Sequence, residues 1–300
     1  MTTAESVGGM SLFDAARSAG VEFANEIRAE DRFVKVNGMA FHYLDWGNDH
    51  LPPMLLLHGG AQNAHMWDFF SLVMRDHFHI VAVDQRGHGD TDWSEAGDYD
   101  TPFHVADMAA FTDALELDPV VLIGMSMGGR NAYGFAAAHP AKVDRLIIID
   151  VGPDVQAEGR KHIAEFMEGT DTFESFDWLV ERVCAYNPRR PEKQIRGSLI
   201  NNLKQLDDGS WTWKHDRRRG IRRDRGGEMN EQAWQDLSQL VTPTLLVRGG
   251  ESNILSAVTA EKMQQTMNNC SFVEVAGAGH LVPSDKPVDF ERVAREFLGV

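Results

Sequence analysis

The sequence predicts an α/β fold, a mostly parallel eight-stranded sheet covered by helices on both faces, with a helical cap inserted between two of the strands. Three observations carry this reading. Six short apolar runs alternate with helix-length segments. A two-residue hairpin signal precedes them and adds two antiparallel strands. About ninety residues without a clear sheet strand break the alternation between Asp150 and Thr244.

The elements follow in order. Residues 1–30 read as a leader plus an amphipathic helix around Ser11 to Ala29, because Leu12, Phe13, Ala16, Ala19 and Phe23 recur at roughly helical spacing. Phe33–Val36 and Met39–Leu44 flank Asn37-Gly38, the pair that best tolerates the positive φ angles of a tight hairpin. The apolar runs are Met54–Leu57, His79–Val83, Val120–Ile123, Arg145–Asp150, Thr244–Arg248 and Ser271–Val275. In a parallel sheet, functional residues lie just past the carboxyl ends of the strands. His58, Asp84, Ser126, Asp150, Asn253 and His280 all lie there or shortly beyond. The expected core domain is therefore residues 31–152 and 241–300, and the expected helical cap is 153–240.

Composition narrows the function classes. The chain has 300 residues, 43% of them hydrophobic, enough for a sizeable core. A net charge of −16 argues against nucleic acid as a partner. The two cysteines, Cys184 and Cys270, lack metal-ligand spacing and read as free thiols of a reducing compartment. No run reaches the length of a membrane span, and the first residues lack a signal-peptide pattern. The expectation is a cytoplasmic monomer or homodimer acting on a small molecule, with no cofactor and no metal.

The run Gly124-Met125-Ser126-Met127-Gly128-Gly129 directly follows a buried strand and leads into a helix. Glycines on both sides of Ser126 allow a sharp turn that lifts the hydroxyl clear of the sheet. A serine there can also serve merely as a helix N-cap, but the flanking glycines and the preceding strand favour a nucleophile.

Five segments, in this order, resemble the α/β-hydrolase family over roughly residues 32–300. They are His58-Gly59-Gly60, Asp84 to Gly89, the turn at Ser126, Arg248-Gly249-Gly250-Glu251, and Gly277-Ala278-Gly279-His280. The resemblance implies Ser126 as nucleophile and His280 as general base. It implies an oxyanion hole made of the Gly60 and Met127 backbone N–H groups. Asp84, Arg86, His58 and His88 belong to motifs that usually serve loop structure.

The acid is where the pattern departs. The usual position, past the next-to-last strand, holds Asn253. An uncharged amide there can stabilise the wrong histidine tautomer. Three assignments compete. Asp150, after the preceding strand, can supply the acid, although it can also simply cap the Val151-Gly152-Pro153 turn. Asn253 can leave a slow enzyme. The chain can instead be a binding protein on a hydrolase scaffold. The first is preferred.

A serine nucleophile suits esters, lactones and related acyl compounds, and it excludes chemistries that need a carboxylate nucleophile. Carbon–carbon bond hydrolysis of ring-cleavage products is the alternative within the same family. The aromatic residues of 153–240 read first as that segment's own core. Their functional reading is a substrate pocket, for which Trp67, Trp178, Trp211 and Trp213 are the candidates. Seven Lys/Arg between Lys214 and Arg225 read as a solvated or salt-bridged face, with a carboxylate clamp as the minor reading.

Overall fold

Asn37 and Gly38 turn with φ angles of 49° and 79°, and so join β1 (Glu30–Val36) to β2 (Met39–Asp45) as the hairpin that the sequence predicts. The computed structural model describes residues 3–168, 171–218 and 226–300. The expected first helix is shorter than its periodicity suggests. α1 spans only Leu12–Ser18, with Ser11 as its N-cap. Gly20, at a φ of 79°, turns the chain away.

The order then continues through β3 (Pro53–Leu57), α2 (Asp68–Met74), β4 (His79–Val83), α3 (Thr101–Ala114), β5 (Val120–Met125), α4 (Met127–Ala138) and β6 (Val143–Ile149). The segment after β6 contains α5 (Ala157–Met167), β7 (Thr172–Phe173), α6 (Phe176–Tyr186), α7 (Glu192–Leu199), β8 (Leu203–Gln205), β9 (Trp211–Trp213) and α8 (Gly226–Gln239). The fold closes with β10 (Thr244–Gly249), α9 (Ala257–Thr266), β11 (Cys270–Val275), α10 (Val282–Asp285) and α11 (Pro287–Leu298).

The main sheet runs β1-β2-β4-β3-β5-β6-β10-β11. β2 is antiparallel to both of its neighbours, and the remaining pairings are parallel. Side-chain alternation feeds two cores. Met54 and Leu56 point into one with Phe70 and Phe290, while Leu55 and Leu57 point into the other with Phe111 and Phe135. Both faces are thus covered, which is why the central strands read as continuous apolar runs.

The segment between β6 and β10 is not wholly helical. β7, β9 and β8 form a small antiparallel sheet of their own. β8 and β9 turn through Asp208-Gly209, where Gly209 has a φ of 87° and the Leu206 N–H donates to Ser210 O at 2.8 Å. Asp-Gly is a hairpin signal. Here it was masked by strands only three residues long, too short to show alternation. Phe173, Leu179, Leu203 and Trp211 form a local core beneath this sheet.

Candidate active site

Ser126 sits between the end of β5 and the start of α4 at φ 53° and ψ −117°, a strained conformation for a residue with a side chain. Two close approaches hold it there. A Cβ on Gly124 would lie 2.3 Å from Gly128 O, and one on Gly128 would lie 2.2 Å from Leu57 O. Only glycine lets β5, α4 and β3 meet this closely. The Ser126 N–H donates to Ile149 O at 2.9 Å, which fixes the turn to β6.

The structure brings three of the predicted residues into one line. Ser126 Oγ lies 3.0 Å from His280 Nε2, and His280 Nδ1 lies 2.7 Å from Asp150 Oδ2. Asp150 follows β6 with a φ of 49° and is fully buried. Its carboxylate also accepts the Gly249 N–H at 3.0 Å and the Ser252 hydroxyl at 2.5 Å. Three partners thus meet the buried carboxylate, as a buried polar group requires.

Asn253 is not brought to His280, and no hydrogen bond joins the two among the described residues. Its loop is a tight turn built on Ser252, whose Oγ accepts the Ile254 and Leu255 N–H groups at 3.1 and 3.3 Å. The Asn253 carbonyl is pressed against α5, where a Cβ on Gly159 would lie 2.2 Å away. Glu251 turns outward to Arg189 at 2.8 Å. The loop after β10 therefore brings a serine to the Asp150 carboxylate, and the carboxylate beside His280 is the one that follows β6.

Met127 is the first residue of α4, so its N–H belongs to a helix N-terminus beside Ser126. In the loop after β3, the Gly59 N–H is taken by Gln62 Oε1 at 3.2 Å, while the Gly60 N–H has no acceptor among the described residues. A Cβ on Gly59 would lie 3.5 Å from Ser126 Cβ, which measures how closely this loop approaches the serine.

The remaining motif residues hold loops. His58 Nε2 accepts the Gln85 N–H at 2.9 Å while its Nδ1 donates to Gly59 O at 2.7 Å, an arrangement that fits the neutral ring. Arg86 forms a two-point ion pair with the buried Asp107. Asp84 accepts from Ala64 N and Asp90 N at 2.7 and 2.9 Å, and its Oδ2 lies 2.7 Å from His42 Nδ1. Burial alone would raise the Asp84 pKa, but these partners, His42 foremost, hold it below the usual carboxylate value. His42, Asp84 and Asp90 are close enough to share a metal ion. Each is already committed, since His42 Nε2 meets Asp31 at 3.0 Å and Asp90 pairs with Lys214 at 2.7 Å.

The tryptophans divide. Trp67 is fully buried against Phe70 and Phe290 and belongs to the main core, so its place among the pocket candidates is corrected. It follows the β3 loop closely in sequence, but the short helical turn Ala64–Trp67 rotates it inward beneath α2. Trp211 packs inside the β7–β9 layer. Trp178 is 46% exposed, stacked on Phe173 with Arg182 over its ring. Trp213 begins a ladder of rings that reaches the core loops, with centroids 5.6 Å from His215, then 6.3 Å on to His88 and 4.8 Å on to His58.

Of the basic run, Lys214 pairs with Asp90, Arg217 with Asp171 and Arg218 with Asp216. Residues 219–225 lie outside the described residues. Sequence reasoning missed Ser252 and Gln62. Neither carries a signal that separates it from an ordinary turn residue.

A family model described as the α/β hydrolase fold matches residues 52–287, well over half of the chain. The chain belongs to the α/β-hydrolase family. Among relatives, it is 31% identical to esterase Rv0045c of Mycobacterium tuberculosis, covering 88% of both chains. A crystal structure of that esterase superposes with a TM-score of 0.79 over 96% of each chain, at 29% identity. The chain is also 29% identical to 2-(acetamidomethylene)succinate hydrolase of Mesorhizobium japonicum, over 79% of this chain and 84% of the relative. It is 27% identical to the mouse sn-1-specific diacylglycerol lipase ABHD11, over 95% and 91%. Among the described residues of this α/β-hydrolase, no helix is long and apolar enough to cross a membrane.

Proposed function

We propose that this α/β-hydrolase is a serine esterase that cleaves small, partly apolar carboxylic esters, or related lactones and acyl compounds, through an acyl-enzyme. The observation that carries the reading is the continuous Ser126–His280–Asp150 hydrogen-bond line, with separations of 3.0 and 2.7 Å. The esterase and lipase names of the relatives support the same class.

In this reading His280 Nε2 takes the Ser126 proton as Oγ attacks the ester carbonyl. The negative charge that develops on the carbonyl oxygen is met by the Gly60 and Met127 N–H groups. His280 returns the proton to the departing alkoxide, so an alcohol leaves and the acyl group stays on Ser126. A water, deprotonated by His280, then releases the acid. Asp150 holds the imidazole with Nδ1 protonated and stabilises the imidazolium formed at each transfer. Residues 153–240 act as the cap that selects the substrate, with Trp213 and the His215–His88 stack as a wall on the core side.

A non-catalytic binding role rested on the missing acid at position 253. It loses that support once a buried carboxylate stands beside His280. The test is a burst-phase assay with p-nitrophenyl esters of varied chain length. The expected result is a burst and steady turnover, both lost in Ser126→Ala. Turnover that survives Ser126→Ala would overturn the proposal. So would failure on every ester combined with turnover of a vinylogous diketone, which would move the reaction to carbon–carbon cleavage.

A further inference from the structure

The loop that carries His280 is soft by composition. Gly277-Ala278-Gly279 precedes it, and Gly277 has a φ of 71°. Glycines leave the main chain free, so the imidazole keeps its place only where other groups hold the loop. The core holds one side, where the Glu251 N–H donates to Ala278 O at 2.8 Å. A carboxylate holds the other. Asp285 ends the short helix α10, which folds back so that Asp285 Oδ2 accepts the Gly279 N–H at 2.9 Å. That is the last main-chain N–H before the one of His280 itself, and a hydrogen bond to an ionised acceptor is a strong anchor.

The second oxygen of Asp285 is met from outside the core. Asn187 caps the C-terminus of α6, within the segment between β6 and β10, and its Nδ2 donates to Asp285 Oδ1 at 2.8 Å. Asn187 is buried, at 7% exposure, and its Oδ1 accepts the Arg189 N–H at 3.2 Å. Turning the amide over would break a bond at each end. The same turn lays Arg189 against the histidine loop. A Cβ on Gly279 would lie 2.8 Å from Arg189 Nη1 and 3.1 Å from Asp285 Oδ2, so glycine alone leaves room for both groups. Arg189 Nη2 continues to Glu251 at 2.8 Å.

The line Asn187–Asp285–Gly279 therefore ends one residue short of the ring that stands 3.0 Å from Ser126 Oγ and 2.7 Å from Asp150 Oδ2. A base must meet its proton at hydrogen-bond distance, and a small displacement of a positioned group costs much of the rate.

We propose that Asn187 and Asp285 are positioning residues for His280, so that the seating of residues 153–240 on the core sets the geometry of the catalytic base. This rests on the reading of His280 as the base of a serine esterase. Both residues act through the Gly279 peptide rather than on the reacting atoms.

The test exchanges the two side chains. Asn187→Asp sets two carboxylates against each other, and Asp285→Asn sets two amide NH2 groups against each other. The double variant restores the line, because the new amide at 285 can accept the Gly279 N–H and donate to the new carboxylate at 187. Four quantities are read: kcat and KM on p-nitrophenyl esters, the rate at which a fluorophosphonate labels Ser126, the downfield proton resonance of His280 Nδ1, assigned by its absence in His280→Gln, and Tm. Each single variant should lower kcat and the labelling rate by about tenfold with little change in KM, and should shift or broaden the resonance. The double variant should recover most of both losses. Glu251→Gln cuts the neighbouring, partly exposed Arg189 pair and leaves Asp285 in place, so it should hold kcat within about twofold. Single variants that lose Tm but keep kcat and the resonance make Asn187 and Asp285 structural and overturn the proposal. An equal loss in Glu251→Gln, or a double variant no faster than the singles, overturns it too. The resonance needs no substrate, so it decides the coupling separately from the esterase reading, which falls if the native chain neither labels at Ser126 nor turns over an ester.

Discussion

Asp150 Oδ2 and His280 Nδ1 lie 2.7 Å apart although 130 residues separate them in sequence. Two loops make the contact. One follows β6 and turns at the positive φ of Asp150, and the other follows β11 and carries Gly277-Ala278-Gly279. β10 lies between these strands in the sheet, so its loop passes directly beside the carboxylate. From there it delivers the Gly249 N–H and the Ser252 hydroxyl.

Asp150→Asn should lower kcat by about ten-thousandfold, roughly 5 kcal/mol, as in serine hydrolases that lose this charge. Asn253→Asp should not restore activity to that variant, because the 253 side chain does not meet His280. Steady-state kinetics on the single and double variants measure both effects. Full rescue by Asn253→Asp would reassign the acid.

Ser252→Ala should lower kcat by about tenfold or more with little change in KM, the effect of removing a hydrogen bond to a charged group. The Ser252 hydroxyl fixes the rotation of the Asp150 carboxylate at 2.5 Å and does not reach the reacting atoms itself. In an Asp150→Asn background the same substitution should cost far less. Equal losses in both backgrounds would mean that Ser252 merely holds its turn.

Gly128→Ala should destabilise the fold by about 3 kcal/mol. The added methyl would lie 2.2 Å from Leu57 O and 2.6 Å from His58 O, both main-chain atoms that cannot rotate away. Denaturant titration gives the loss, and activity should fall with it because the same contact seats Ser126. Gly38→Ala has nothing within 4 Å of its Cβ and serves as the contrast, losing only what the φ of 79° imposes.

The His42–Asp84 pair predicts a stability plateau in pH. Burial works against both charges, but each partner overrides it, holding His42 above 6.5 and Asp84 below 3.8. A depressed carboxylate contributes fully above 3.8 and loses its contribution as pH falls through the folded-state pKa. A raised histidine contributes fully below 6.5 and loses its contribution as pH rises through the folded-state pKa. The urea midpoint should therefore be highest between these values. Asp84→Asn should flatten both limbs and cost about 3 kcal/mol within the plateau.

The sequence by itself determined the strands of the main sheet, the first hairpin, the serine turn and the family, because each is a local pattern. Alternating apolar runs, Asn37-Gly38 and the glycines around Ser126 act through backbone geometry a few residues long. It determined Ser126 and His280 as candidates for the same reason, since each sits in a short glycine-marked turn. What only the tertiary structure decided was that Asp150 is hydrogen-bonded to His280, that Ser252 donates to that carboxylate, and that Trp67 rotates inward. Those depend on which strand lies beside which and on the side of a loop to which a side chain points. Strand neighbourhood is a long-range property, set when β10 inserts between β6 and β11. Tight turns can rotate a side chain by a full face without changing the local residue pattern that announces them.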